Sequence, residues 1–89
     1  MAYDPRNLSA LSYANGFTLW HYRTEDMPAD VDNAGYFNEA AKMLREGDFV
    51  FVNAGIGTAP SHGVFVVLSN TGGVVDVSNL TTFGAVNAD

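Results

Sequence analysis

The chain contains no cysteine. A disulfide framework and a cysteine-based zinc site are therefore excluded. Basic residues are also scarce. Arg6, Arg23, Lys42 and Arg45 face ten Asp and Glu, for a formal net charge of −6. Four scattered cations make no basic footprint that could displace counterions from a phosphate backbone, so nucleic-acid binding is rejected. No apolar run reaches the ~20 residues that a membrane-spanning helix needs. The opening MAYDPRNLSA lacks the basic-then-apolar order of a signal peptide, so secretion is not expected. Asn7-Leu8-Ser9 and Asn79-Leu80-Thr81 then read as chance matches to the glycosylation pattern. Internal repeats and low-complexity tracts are missing as well.

What is present is enough for one folded domain. Of 89 residues, 47% are hydrophobic, a normal globular share. A chain this short buries little more than ~60% of its unfolded surface, so its core is thin. The organising stretch is YFNEAAKMLREGDFVFVN, residues 36–53. Phe37, Ala40, Ala41 and Leu44 recur at helical spacing, and Asn38, Glu39, Lys42 and Arg45 point the other way. Asp32 or Asn33 is placed to cap the first turn, Lys42 and Arg45 suit the C-terminal dipole, and Gly47 suits the residue just past the end. The pattern predicts an α-helix over about residues 34–46, followed at once by a strand at Phe49-Val50-Phe51-Val52.

Residues 1–15 read as an N-terminal arm, either an edge strand or a segment that orders on a partner. Asn15-Gly16 is a turn dipeptide. FTLWHYRT, residues 17–24, is rich in aromatics and reads as a strand, though each of its faces mixes apolar and polar groups. An acidic loop follows over residues 25–33, in which Pro28 excludes a regular strand interior. After the helix and strand, residues 53–63 form a glycine-rich connection. VFVVLS (residues 64–69) and VVDVS (residues 74–78) read as strands joined by a tight turn at Asn70-Thr71-Gly72-Gly73. In the tail, Leu80, Phe83 and Val86 could add one short strand. The expected fold is mainly β (α+β). It is a small curled antiparallel sheet or barrel-like domain over residues 16–89 with one α-helix. FVFV and VFVVL are apolar on both faces, and one helix covers only one face of a sheet. The second face is either further internal core or is covered by a curling sheet or a neighbouring subunit.

Catalytic signatures are weak. Ser61-His62 is an adjacency and not a triad, because a base must reach its nucleophile and be oriented by a third group. No Gly-x-Ser-x-Gly surrounds it. His21 reads as a strand histidine bonded to a neighbour, in preference to a general base or metal ligand. Asp30-x-Asp32-Asn33 lacks the glycine and terminal Glu offsets of a calcium loop and reads as an acidic capping loop. Glu25 and Asp26 could pair as acid and base on a sugar, but so short a chain offers little room for the cleft. Gly55-Ile56-Gly57 has neither a third glycine nor a following helix, and reads as turn glycines. No catalytic residue, cofactor or metal ligand is assigned. Trp20 and Tyr22 serve equally as core or as interface anchors.

The order of these segments resembles small virion structural proteins of tailed bacteriophages and prophages. In those a Gly-Tyr-Phe-Asn…Ala…Leu-Arg-x-Gly-Asp segment precedes a strand, and a Val-Val-Asp-Val strand closes the domain. The matching residues here are Gly35, Tyr36, Phe37, Asn38, Ala41, Leu44, Gly47 and Asp48, then Gly73 to Val77, within a resemblance spanning residues 17–80. The resemblance implies a non-enzymatic decoration (cement) protein, made in the bacterial host cytoplasm and bound to the outside of the phage head. Its partners would be the major capsid protein and copies of itself, a trimer among the options. The expected contact residues are Tyr3, Pro5, Leu8, Leu11 and Tyr13 of the arm, with Trp20 and Tyr22 second. The alternatives are a head-fibre or glycan-binding module that uses Trp20, His21 and Tyr22 as a stacking platform, and a small hydrolase that uses His21 or His62.

Overall fold

A computed structural model describes residues 3–84 of the chain. Six strands form one mixed sheet: β1 (Leu8–Ala14), β2 (Phe17–Arg23), β3 (Phe49–Ala54), β4 (Ser61–Thr71), β5 (Val74–Val77) and β6 (Thr81–Thr82). Strands β1 to β5 lie in sequence order, and β6 pairs beside β4. The mainly β expectation holds. The sheet is neither barrel-like nor wholly antiparallel, because it stays open and β2 runs parallel to β3. Two parallel neighbours cannot be joined by a hairpin. Residues 24–48 therefore cross over one face of the sheet, and that crossover organises the molecule.

Local chemistry explains each turn. Asn15 (φ 54°) and Gly16 (φ 82°) both take the left-handed conformation that a two-residue hairpin needs, and they join β1 to β2. Gly72 and Gly73 do the same between β4 and β5. Residues 8–14 of the expected arm are thus the edge-strand option, paired antiparallel to β2 through a bulge between Ala10 and Ser12. β4 is longer than its apolar run suggested: its start pairs with β3 and its end with β5. Gly63 lies where β6 crosses. A Cβ there would run into the Thr81 carbonyl and the Leu80 side chain. The tail's expected strand appears as Thr81–Thr82, while Val86 falls outside the described residues.

The predicted helix over residues 34–46 is the main correction. The one α-helix among the described residues, α1 (Pro28–Val31), is a single turn within the acidic loop. Residues 34–48 run as successive turns around a 3-10 segment, Asn38–Ala40. Gly35 sits at φ 91°, outside helical space. Its N–H donates to the Val75 carbonyl (2.9 Å), while the Val75 N–H donates to Asn38 Oδ1 (2.9 Å). Asn70 Nδ2 donates to the carbonyls of Ala41 and Leu44, at 2.6 Å each. The Ala41 carbonyl and the Arg45 N–H, which a helix would pair with each other, are bonded to Asn70 and to the Asp48 carboxylate instead, so tertiary contacts override helical propensity. The predicted apolar face is right all the same. Phe37, Ala40 and Leu44 are buried against the sheet.

The core lies between crossover and sheet. Val31, Phe37, Ala40 and Leu44 come from above, and Tyr22, Val50, Val52, Phe65, Val67, Val75 and Val77 from the strands. Full burial of such side chains contributes ~1.5–3 kcal/mol each. The shortest dimension is 21 Å, as expected of two layers about 10 Å apart with their side chains.

Candidate functional site

Strand alternation gives the sheet two faces, and only one is covered. On the covered face, polar groups meet partners. Asp48 is buried and accepts from the Thr18 N–H (3.0 Å), the Trp20 Nε1–H (3.1 Å) and the Arg45 N–H (3.0 Å). One carboxylate thus ties β2 to the end of the crossover. A second chain links the N-terminal segment to the acidic loop. The Asp4 N–H donates to Tyr22 Oη (3.0 Å), Tyr22 and Tyr36 share a hydroxyl–hydroxyl bond (2.9 Å), and Tyr36 Oη donates to Asp26 Oδ2 (2.7 Å). Burial raises the Tyr36 phenol above its ordinary range, and its bonds with Tyr22 and Asp26 raise it further. Burial also raises Tyr3, whose hydroxyl has no hydrogen-bond partner among the described residues.

These contacts change the expected site. Tyr3 and Tyr22 stack at 5.6 Å in the core, with Tyr22 fully buried, so neither is available as a contact surface. Trp20 is half-buried on the same face, its indole held by Asp48, and Leu8 packs against the core. Pro5, Leu11 and Tyr13 remain exposed along the β1 edge, and the Arg45 guanidinium lies 6.0 Å from the Tyr13 ring centroid. Because Tyr3 is core and β1 is paired, residues 3–14 pack as part of the domain. The glycan platform loses Tyr22 to the interior and Trp20 to Asp48.

The open face is the second apolar face expected from the sequence, and it carries residues that the sequence reading did not name as contacts. Register brings Leu19, Phe49 and Val66 into one row, and His21, Phe51 and Val64 into the next. Phe17 packs edge-on against Phe49 at 5.0 Å, and Phe83 against Phe51 at 6.1 Å. Phe49 remains 41% exposed and Phe83 50%. The signal was in the sequence: strands apolar at successive positions must show a second apolar face once the first is covered.

A third row closes the face. Arg23 and Asn53 are in register, as are Asn53 and His62. Asn53 Nδ2 lies 2.8 Å from His21 Nε2, and Asn53 Oδ1 lies 2.6 Å from His62 Nδ1. The strand histidine is thus bonded to a neighbour, as the sequence suggested. His62 also borders a cleft of about 250 Å³ with Pro60, Ser61, Thr82, Phe83 and Gly84. Asn53, and not Ser61, engages its Nδ1 atom. Asp26 is committed to Tyr36, while Glu25 borders a separate cleft with Ile56, Gly57 and Thr58. Among the described residues, no three His, Cys, Asp or Glu side chains converge as metal ligands, and no helix is long and apolar enough to cross a membrane.

Charge is divided between the layers. Glu25, Asp26, Asp30, Asp32, Glu39, Glu46 and Asp48 lie within residues 25–48. Strands β1, β2, β3, β4 and β6 contain no Asp or Glu at all. No protein-family model matches the chain, and comparisons with curated proteins and with solved structures return no match.

Proposed function

We propose that this chain is a non-enzymatic decoration (cement) protein of a bacteriophage head, docking through the open face of its sheet onto the outer surface of the major capsid protein shell. The observation that carries the docking part is the open face itself: aromatic and aliphatic rows across β2, β3 and β4, three strands without Asp or Glu, backed by an acidic crossover. The viral part rests on the resemblance over residues 17–80. Seated this way, the molecule turns its apolar side inward and its acidic layer to water, which keeps a crowded coat soluble. A standard interface buries ~800 Å² per partner, within reach of four or five strands of open sheet. Many copies bridging subunit junctions would each add modest stability, and the sum would resist internal pressure. Self-association into trimers belongs to the same proposal, since shell symmetry invites it.

Co-sedimentation with undecorated shells tests this reading. The wild-type chain should saturate the shells at a fixed stoichiometry. Phe49→Asp and Phe83→Asp should each weaken attachment by roughly tenfold or more, about 1.4 kcal/mol per decade. Tyr13→Asp, on the β1 edge, should change it little. Wild-type failure to attach would reject the function, and equal loss from Tyr13→Asp would move the contact to the edge strand.

A further inference from the structure

We propose that the free edge of β1 is a self-association strand, which pairs antiparallel with β1 of a second copy so that one sheet runs through both molecules. The pairing itself needs no shell, and its use on one rests on the docking reading.

The two edges of the sheet are treated differently. At the far edge, β5 is four residues long and β6 two. The crossover takes the outward groups of Val75: its carbonyl accepts from the Gly35 N–H, and its N–H donates to Asn38 Oδ1. Asp76 adds a charge to that edge. β1 has none of these guards. It is seven residues long, LSALSYA, without charge or proline, and it ends the strand order. Among the described residues, no strand but β2 pairs with it. Its outward N–H and C=O groups are a template for one more strand, and main-chain bonds of that kind supply affinity. Leu11 and Tyr13 stand exposed along it.

Charge and symmetry select a second copy as the strand that is added. The chain carries a net charge of −6, so copies repel wherever their carboxylates meet. β1 and its neighbour β2 hold no carboxylate, and Asp4, next along the chain, is paired with Arg6 at 2.9 Å. Antiparallel pairing of two identical edges is twofold and closes at two copies. The side chains agree with it. Ser9 and Ser12 stand opposite His21 and Leu19, on the open side of the sheet. Leu8 and Tyr13 stand opposite Tyr22 and Thr18, on the covered side. The bulge between Ala10 and Ser12 produces this change of phase. Laying residues 8–10 against residues 12–14 of the second copy therefore sets Ser9 beside Ser12 and Leu8 beside Tyr13, on matching faces. Opposed residues in an antiparallel pair share a face, so the twofold axis stands perpendicular to the sheet. Both open faces then look the same way, and both acidic crossovers look the other. Two copies seated on one surface can meet edge to edge without lifting either open face from it.

Sedimentation velocity on the intact chain, from about 10 μM to about 1 mM, reads the pairing. One strand edge is smaller than a standard interface, so the expected Kd is about 0.1–1 mM and the chain is a monomer at micromolar concentration. Copies side by side on a shell reach millimolar effective concentration, where the edge adds only a few-fold to attachment. The wild-type chain should form a reversible dimer at the top of the range. Amide exchange within residues 9–14 should slow at least about twofold over the same range, with β3 unchanged. Ser9→Glu with Ser12→Glu, and Ser9→Lys with Ser12→Lys, set like charges opposite each other, so each double variant should stay monomeric. An equimolar mixture of the two should pair. Phe49→Asp, on the open face, should dimerise as the wild type does. A wild-type chain that is monomeric at about 1 mM, or that forms a trimer, overturns the proposal. So does a dimer that survives in both double variants, a mixture that stays monomeric, or a dimer lost in Phe49→Asp. Should the double variants not fold, wild-type exchange decides alone, and no slowing within residues 9–14 overturns it. Shells that bind a chain with no dimer in solution would reject this inference and leave the docking reading intact. A dimer without attachment to shells would do the reverse.

Discussion

The two faces of this sheet are built by the same strands and are almost equally apolar, yet they do different things. Tyr22, Val50, Val52, Phe65 and Val67 point to the crossover and are sealed. Leu19, Phe49, Phe51, Val64 and Val66 point away and stay partly in water. Hydrophobicity does not tell the faces apart. Polar chemistry does. Under the crossover, carboxylates and phenols must be paired because burying them unpaired costs too much, hence Asp48 with three N–H donors and the Tyr22–Tyr36–Asp26 chain. On the open face, His21, Asn53 and His62 bond to one another at one end and leave the aromatic rows unobstructed. The sealed face makes the fold; the open face leaves its aromatic rows partly in water.

The comparison breaks most directly at paired phenylalanines. Phe65→Ala removes a fully buried ring and should cost about 3–5 kcal/mol by the cavity it leaves. Phe49→Ala, at 41% exposure, should cost about 1 kcal/mol or less. Urea midpoints of the two variants give the answer. Similar losses would mean that the open face is already covered in solution, and a concentration-dependent midpoint would identify a second copy as the cover.

Much of this was legible beforehand. The continuous apolar runs in β3, β4 and β5 and the Asn15-Gly16 and Gly72-Gly73 turns are strong local signals, and each falls within an expected strand or turn, though β4 extends beyond its run at both ends. The helix was misread because its apolar spacing is real. Phe37, Ala40 and Leu44 do face the core, but Gly35 and the bonds to Val75 and Asn70 depend on strands some 30 residues away. Strand β2 hid its orientation. The Thr18, Trp20, Tyr22 side looks mixed until Asp48 and Tyr36 supply the hydrogen bonds that let it be buried. Tyr3 and Tyr22, expected as contacts, were misread for the same reason and belong to the core. An aromatic in a strand can serve either face, and only register decides which.

The next effect in size belongs to the pin under the covered face. Asp48→Ala leaves three N–H donors without their acceptor and should cost about 3 kcal/mol. Asp48→Asn keeps one oxygen and should lose less. Trp20 fluorescence reports both, since its indole donates to this carboxylate. An Asp48→Ala domain as stable as wild type would mean that the crossover end is held by apolar packing alone. In that case polar pairing would no longer distinguish the faces.

The smallest effect at neutral pH is at Tyr36, and it grows with base. Burial first, then the bonds with Tyr22 and Asp26, raise its phenol in the folded chain. The folded state therefore holds this proton more tightly than the unfolded chain, whose tyrosines ionise near pH ~10. The stability this contributes is fully present below about pH 10 and is lost as pH rises toward the folded value. Tyr36→Phe should cost about 1 kcal/mol at neutral pH for the lost hydroxyl bonds. It should also flatten the fall of thermal midpoint above about pH 10, leaving a residual slope from Tyr3, which burial raises as well. Phe49→Ala should leave the wild-type slope unchanged, because the open face holds no tyrosine. Parallel wild-type and Tyr36→Phe curves in base would mean that the phenol ionises alike in both states, and the covered face would then owe its closure to shape and not to its hydroxyl chain.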